Sequence, residues 1–160
     1  MKISLFDISN RLSEIDKMFR PTIESLLPTI HKIDSTKLIE ESGLSLQGNN
    51  VLLTITPKDY EYAGLDIFIA KDQLIVGFAG SEQYEDHHSN MIESDLIHTI
   101  EKYLTGIRIK TYYNKKGIIV KREWFYKDNS MIGTSRYSFN LFSLFTKNIE
   151  KEISISFFSA

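Results

Sequence analysis

Glu85-Asp86-His87-His88, with His98 downstream, is the densest run of potential metal ligands in the chain. Carboxylate and imidazole together suit zinc, manganese or iron. A catalytic centre built on such a string needs it straight after a buried strand, with more acidic and histidine ligands to follow. Here the string reads as part of a polar loop and His98 is the one later histidine. On a helix, His98 lies about 200° around from Leu96, away from the apolar stripe. Glu82, Glu85, Asp86, Glu93 and Asp95 offer acid pairs for proton transfer, as any acidic loop would. No Ser is paired with a placed His and Asp, and no Gly-rich turn leads from a strand into a helix. The expectation is a protein without catalytic residues, metal or cofactor. A metal-dependent hydrolase using Asp86, His87, His88 and His98 stands as a rival.

From Asp72 to Glu101 there are seven acids and no Lys or Arg; from Lys102 to Lys127 there are eight bases and one acid, Glu123. Adjacent segments of opposite sign make a dipolar surface. In the basic segment, Arg108, Lys110, Lys115, Lys116 and Lys121, with Tyr112 among them, could grip phosphates and stack a base. A solvated strand face that discourages edge pairing explains the same residues. The net charge of −2 disfavours nucleic acid as the partner. Arg122 stands apart, because strand alternation puts it with Val120 and Trp124 on the apolar parity. A guanidinium there requires a partner, such as Asp66 or Ser135, or a place at the sheet's rim beside an aromatic ring. Structural and binding roles are both open for it.

The acidic stretch is the preferred binding surface. Read as a loop from Ser81 running into a first helical turn, it holds Glu82, Tyr84, Glu85, Asp86, His87, His88, Glu93 and Asp95 together. Acids with a tyrosine among them suit a cation-rich cleft on another protein. A second site would comprise Arg108, Lys110, Tyr112, Lys121 and Arg122.

The elements that position these residues follow from periodicity. Leu65, Ile67 and Ile69 alternate with polar or smaller residues, and with Lys71-Asp72 as a two-residue loop they face Phe78, Val76 and Leu74. Ile92, Leu96, Ile100, Tyr103 and Leu104 predict a helix over about 91–104 that covers the sheet, with Ser89 or Asn90 as N-cap and Gly106 as its stop. A three-strand meander follows. With Lys115-Lys116 as a loop, Ile107, Ile109, Thr111 and Tyr113 pair with Trp124, Arg122, Val120 and Ile118. With Asp128-Asn129 as the next loop, Trp124 falls opposite Gly133, Tyr126 opposite Met131, Val120 opposite Tyr137 and Ile118 opposite Phe139. An indole beside a glycine has room to lie on the sheet.

Before this region, residues 1–45 predict helices: Ile8, Leu12, Ile15 and Phe19 on one, Ile23, Leu26, Leu27 and Ile30 on a second that Pro28 ends or kinks, and a short third over Ser35–Ser42. Gln47 to Asn50 is turn chemistry before a strand over Val51–Thr56. Leu141 to Lys147 is ambiguous between strand and helix, and Ile153, Ile155 and Phe157 predict a last strand.

The 160 residues suffice for one well-filled core, so the expectation is a single α+β domain, with N-terminal helices and, over 50–160, a mainly antiparallel twisted sheet with one helix. At 42% hydrophobic and 25% charged, the composition is that of a globular protein. No apolar run is long enough to span a membrane, Asp7 cuts short any leader-like start, and the absence of Cys fits a reducing compartment. A cytoplasmic location is expected; the oligomeric state is open.

The order of hairpin (Asp66 to Phe78), histidine-bearing polar segment (Glu85-Asp86-His87-His88), helix ending Tyr103-Leu104-Thr105-Gly106, then Ile107-Arg108-Ile109-Lys110-Thr111-Tyr112-Tyr113-Asn114-Lys115-Lys116-Gly117 and a Trp-bearing strand resembles small immunity proteins of bacterial polymorphic and contact-dependent growth inhibition toxin systems. The likeness covers roughly residues 64 to 127. It carries no catalytic signature, so no functional residue transfers by motif. The resemblance implies a cytoplasmic, non-catalytic inhibitor that binds one cognate toxin domain, such as a nuclease, and blocks its active site.

Overall fold

The computed structural model describes residues 1–70, 73–78, 84–88, 93–137 and 149–158, and for residues 61, 73, 74, 84–88 and 93–96 the backbone alone. Two antiparallel sheets carry the fold. The first has six strands in sequential order, β1 (Lys2–Ser4), β2 (Gly43–Gln47), β3 (Asn50–Ile55), β4 (Leu65–Ile69), β5 (Gln73–Phe78) and β6 (Tyr84–His88). The second has four, β7 (Ile107–Tyr113), β8 (Ile119–Tyr126), β9 (Met131–Arg136) and β10 (Ile149–Ile155), in the order β10-β7-β8-β9. Helices α1 (Arg20–Ile30) and α2 (Glu93–Thr105) complete the α+β architecture.

The β4–β5 register is the one that alternation demands, Leu65 opposite Phe78, Ile67 opposite Val76 and Ile69 opposite Leu74. Its buried row continues through Leu53 and Leu44 to Ile3, all at most 1% exposed. Because side chains alternate across a strand, this row defines the core face of the sheet. Helix α2 supplies the other wall through Ile100, Tyr103 and Leu104. Tyr103 packs 4.7 Å from Phe78 and 5.7 Å from Phe157, and its hydroxyl donates to the Ala63 carbonyl at 2.7 Å. Burial pushes that phenol far above its ordinary pKa. The predicted caps Ser89 and Asn90 lie outside the described residues, as does 141–147.

The N-terminal third departs from the helical expectation. Only α1 is an α-helix; Pro21 opens it, and Pro28 lies inside it, two residues before its end at Ile30. Ile8, Ile15 and Phe19 are buried as their spacing predicts, but the backbone there runs in 3-10 turns with Arg11 outside helical geometry. Asp16 breaks the helix by accepting the Met18 N–H on its carboxylate, the local competition that makes Asp a poor helix-interior residue. The predicted third helix is reduced to a turn at Ser35–Lys37, and Gly43–Gln47 is a strand. Gly43 is required there, since a Cβ would lie 2.3 Å from the Ile3 carbonyl oxygen.

In the second sheet the parity is as expected, and the register is as expected only for β8–β9 at its centre. Ile107, Ile109 and Thr111 face Tyr126, Trp124 and Arg122, two residues along from the predicted partners. One residue of that slip comes from the turn. Asn114 and Ile118 close a three-residue loop with Gly117 left-handed at φ 77°, and the Asn114 side chain accepts from the Lys116 and Ile118 amides. The other comes from a bulge that leaves Val120 unpaired against β7. A slip of two keeps every side chain on its face. The β8–β9 turn repeats the motif with Asn129 left-handed at φ 72°, but its bulge cancels the shift, so Trp124 does face Gly133. Met131 therefore sits opposite Phe125, not Tyr126. Tyr137 donates its amide to Val120, and Phe139 lies outside the described residues. The last predicted strand is β10, added beside β7.

Candidate functional site

The acidic segment is placed differently from its loop expectation. Tyr84–His88 forms β6, the outer strand of the six-stranded sheet. Its register sets Glu85 opposite Val76 and His87 opposite Leu74, on the parity of the core face, and Tyr84, Asp86 and His88 opposite Gly77, Ile75 and Gln73. The strand thus divides the acidic run between two faces. Glu93 and Asp95 belong to the first turn of α2, where the helix dipole favours acids. Glu82 lies outside the described residues.

One row on the face opposite the core leads to Asp86. Across the six strands it reads Lys2, Ser45, Leu52, Phe68, Ile75 and Asp86. Leu52, Phe68 and Ile75 are half-buried, and their strands are held by the core rows beneath them. An apolar centre ending in an acid at the sheet's edge has the anatomy of a protein-contact patch, apolar within and polar at its rim.

The basic segment is neutralised by its neighbours. Lys110 lies opposite Glu123, not opposite Lys121 as the simple hairpin predicts. Strand β10 brings Glu150 to 2.9 Å from Lys110 and Glu152 to 3.0 Å from Arg108. Lys121 pairs with Glu123, whose other oxygen accepts the Tyr112 hydroxyl at 2.7 Å. Burial would raise the Glu123 carboxyl, but the Lys121 and Tyr112 hydrogen bonds outweigh it and hold the group below its usual range. Tyr112 is pushed up, by burial first and by Glu123 second. Lys102 on α2 pairs with Asp128 at 2.8 Å. Four of the eight bases are therefore already spent on carboxylates, and a phosphate track is broken.

Arg122 is on the other face of the same strand, so it does not join Arg108, Lys110, Tyr112 and Lys121 in one site. Neither Asp66 nor Ser135 bonds it. Its guanidinium lies 3.7 Å over the Tyr62 ring and 5.5 Å from Tyr137, whose hydroxyl accepts an Nη1 hydrogen at 3.5 Å. The Nε atom is buried without a hydrogen-bond partner. Of the expected environments, the aromatic one is realised, although Arg122 is flanked on both sides by Thr111 and Ser135 within the sheet. Sequence reasoning missed the tyrosines: Tyr60 meets Tyr62 edge-on at 6.0 Å, and Tyr113 lies under Lys151 at 5.4 Å. The Tyr62 phenol is raised by burial, with Arg122 pulling the other way. The available signals were the doublets Tyr60-Glu61-Tyr62 and Tyr112-Tyr113, together with an arginine on an apolar parity.

Among the described residues no group of three or more His, Asp or Glu side chains converges as metal ligands do. His98 is exposed in a groove with Glu101, Lys102, Thr105, Lys127 and Asp128, where Asp128 is paired with Lys102. No helix among the described residues is long and apolar enough to cross a membrane. No family model, curated protein or solved structure matches the chain.

Proposed function

We propose that the protein is a non-catalytic, cytoplasmic inhibitor of the immunity-protein kind, which binds a cognate toxin domain and covers its active site or substrate approach. The observation that supports this reading is the row Leu52, Phe68, Ile75 and Asp86 on the face of the six-stranded sheet opposite its core. Its apolar centre gives contact area, and its acidic edge, continued by Tyr84 and His88 on the same parity, complements a basic cleft such as a nuclease's phosphate site. The internal pairing of Arg108, Lys110 and Lys121 speaks against nucleic acid as the direct partner.

The test is co-expression with the toxin domain of a secreted protein encoded in the adjacent reading frame, followed by growth rescue and calorimetric titration of the purified pair. A tight complex is expected, weakened by about tenfold or more in Phe68→Asp and losing salt dependence in Asp86→Lys. Failure to form any complex, or equal affinity in both variants, rejects the reading.

A further inference from the structure

We infer that the Arg122 cluster is a receptor for a carboxylate presented by a partner protein, an Asp or Glu side chain with an apolar or aromatic neighbour. The inference goes beyond the sheet face described above and involves a different sheet.

The argument starts from unmet hydrogen-bonding capacity. A guanidinium carries five N–H donors in a planar fork. In Arg122 the single hydrogen bond is the 3.5 Å contact to Tyr137, at the long limit for such a bond. On the opposite face of the sheet Arg108, Lys110 and Lys121 each have a carboxylate, whereas Arg122 makes no ion pair among the described residues. A partly desolvated guanidinium without an anion is costly, and a native structure that keeps one has a use for it.

The surroundings define the missing group. The guanidinium lies 3.7 Å over the Tyr62 ring, and its planar fork of N–H donors matches the two oxygens of a carboxylate. Tyr137 beside it is 49% exposed, and Tyr60 and Tyr113 are half-exposed, so rings are open for an apolar neighbour of the anion to pack on. Along the row, β-register sets Lys151, Thr111 and Arg122 side by side on β10, β7 and β8. Lys151 is exposed and also makes no ion pair among the described residues, so a second positive charge stands about 10 Å away, two strand spacings. Tyrosine and arginine are the residues that most often dominate binding energy at protein interfaces.

A carboxylate fits better than a nucleic-acid phosphate. A polynucleotide brings a phosphate at every step and needs a continuous basic track. Across the sheet, Arg108, Lys110 and Lys121 are consumed by Glu152, Glu150 and Glu123, and the whole chain carries a net charge of −2. A single anion between aromatic groups needs only what Arg122 and its tyrosines supply.

The experiment uses the isolated full chain, labelled with 15N and titrated with the capped tripeptide acetyl-Phe-Glu-Phe-amide. Its Gln counterpart, inorganic phosphate and an eight-nucleotide oligothymidylate are the comparison probes. The Arg122 Nε–H and Tyr137 amide resonances should shift and saturate with the Glu peptide, at about tenfold or more lower concentration than with any other probe. Arg122→Lys, which keeps the charge and loses the fork, should weaken the Glu peptide about tenfold. Tyr137→Ala gives a second reading if that variant does not fold, and should also weaken it. Equal response to Glu and Gln peptides, tighter binding of phosphate or oligonucleotide, or unchanged affinity in the variants overturns the inference. Because the probe is a free peptide, its failure leaves the toxin-binding reading standing, and failure of the toxin complex leaves this one standing.

Discussion

The two faces of β8 solve the same problem in opposite ways. On the outer face, Lys121, Glu123 and Phe125 lie in a lattice that pairs three cations with carboxylates: Arg108 with Glu152, Lys110 with Glu150, Lys121 with Glu123. On the inner face, Trp124 is fully buried with its indole N–H donating to the Tyr62 carbonyl at 3.2 Å, and Arg122 beside it has rings but no anion. Surface ion pairs are worth little and are easily rebuilt, so the outer lattice neutralises and solubilises more than it stabilises. The inner face holds the stability at Trp124 and an unspent charge at Arg122. One strand thus separates the residue that anchors the sheet from the residue available to a partner by a single alternation.

The largest test of that comparison removes one aromatic from each face. Trp124→Ala should cost about 3–5 kcal/mol, because a fully buried indole leaves a cavity and strands the Tyr62 carbonyl. Phe125→Ala, one residue on and half-exposed, should cost about 1 kcal/mol or less. Urea denaturation of the two variants reads both values, and similar costs would erase the distinction between the faces. Tyr103→Phe comes next, at about 1–3 kcal/mol, since it deletes a hydroxyl and leaves the buried Ala63 carbonyl without its donor.

The same alternation explains what was legible in the chain. Leu65 to Phe78 could be read outright, because a period of two with a short loop admits one register that buries six apolar residues. The face assignments of β7 and β8 were legible although their register was not, since loop and bulge together displaced the pairing by an even number. Gly43–Gln47 was illegible: its Leu44 and Leu46 make too short a pattern, and only pairing with β1 and β3 makes it a strand. The compensation of Arg108 and Lys110 was hidden because Glu150 and Glu152 lie about forty residues downstream. Arg122 was visible as an anomaly, while Tyr62, sixty residues earlier, was not visible as its answer.

Two smaller effects sharpen the contrast. Gly117→Ala should cost about 1–2 kcal/mol, the penalty for an L side chain held at φ 77°, without touching either face. On the outer face, Glu123→Gln should cost about 1 kcal/mol or less at neutral pH. Its pH dependence carries the information. The folded protein holds the Glu123 carboxyl below its unfolded value, so its contribution is present above about pH 4.3 and is lost as pH falls through the folded value. Glu123→Gln should therefore flatten the acid limb of the stability profile, and an unchanged limb would remove the carboxylate from the account. Combined with Glu150→Gln and Glu152→Gln it should also unmask Arg108, Lys110 and Lys121, so that a filter-binding titration detects salt-sensitive nucleic-acid binding that the parent chain lacks.

The smallest expected change is at Arg122 itself. Arg122→Met keeps an unbranched apolar stem that ends about where Nε lies and removes the guanidinium from the Tyr62 ring. It gives up a cation–π contact of about 0.5–1 kcal/mol and removes the burden of an unpartnered, buried Nε, of about 1–3 kcal/mol. The two nearly cancel, so stability should stay level or rise by about 1 kcal/mol in the same denaturation assay. A residue that carried the fold would behave like Trp124, with a loss of several kcal/mol. A loss on that scale in Arg122→Met would mean that the tyrosine cluster is part of the anchor and that β8 does not divide its labour between neighbouring inner-face positions.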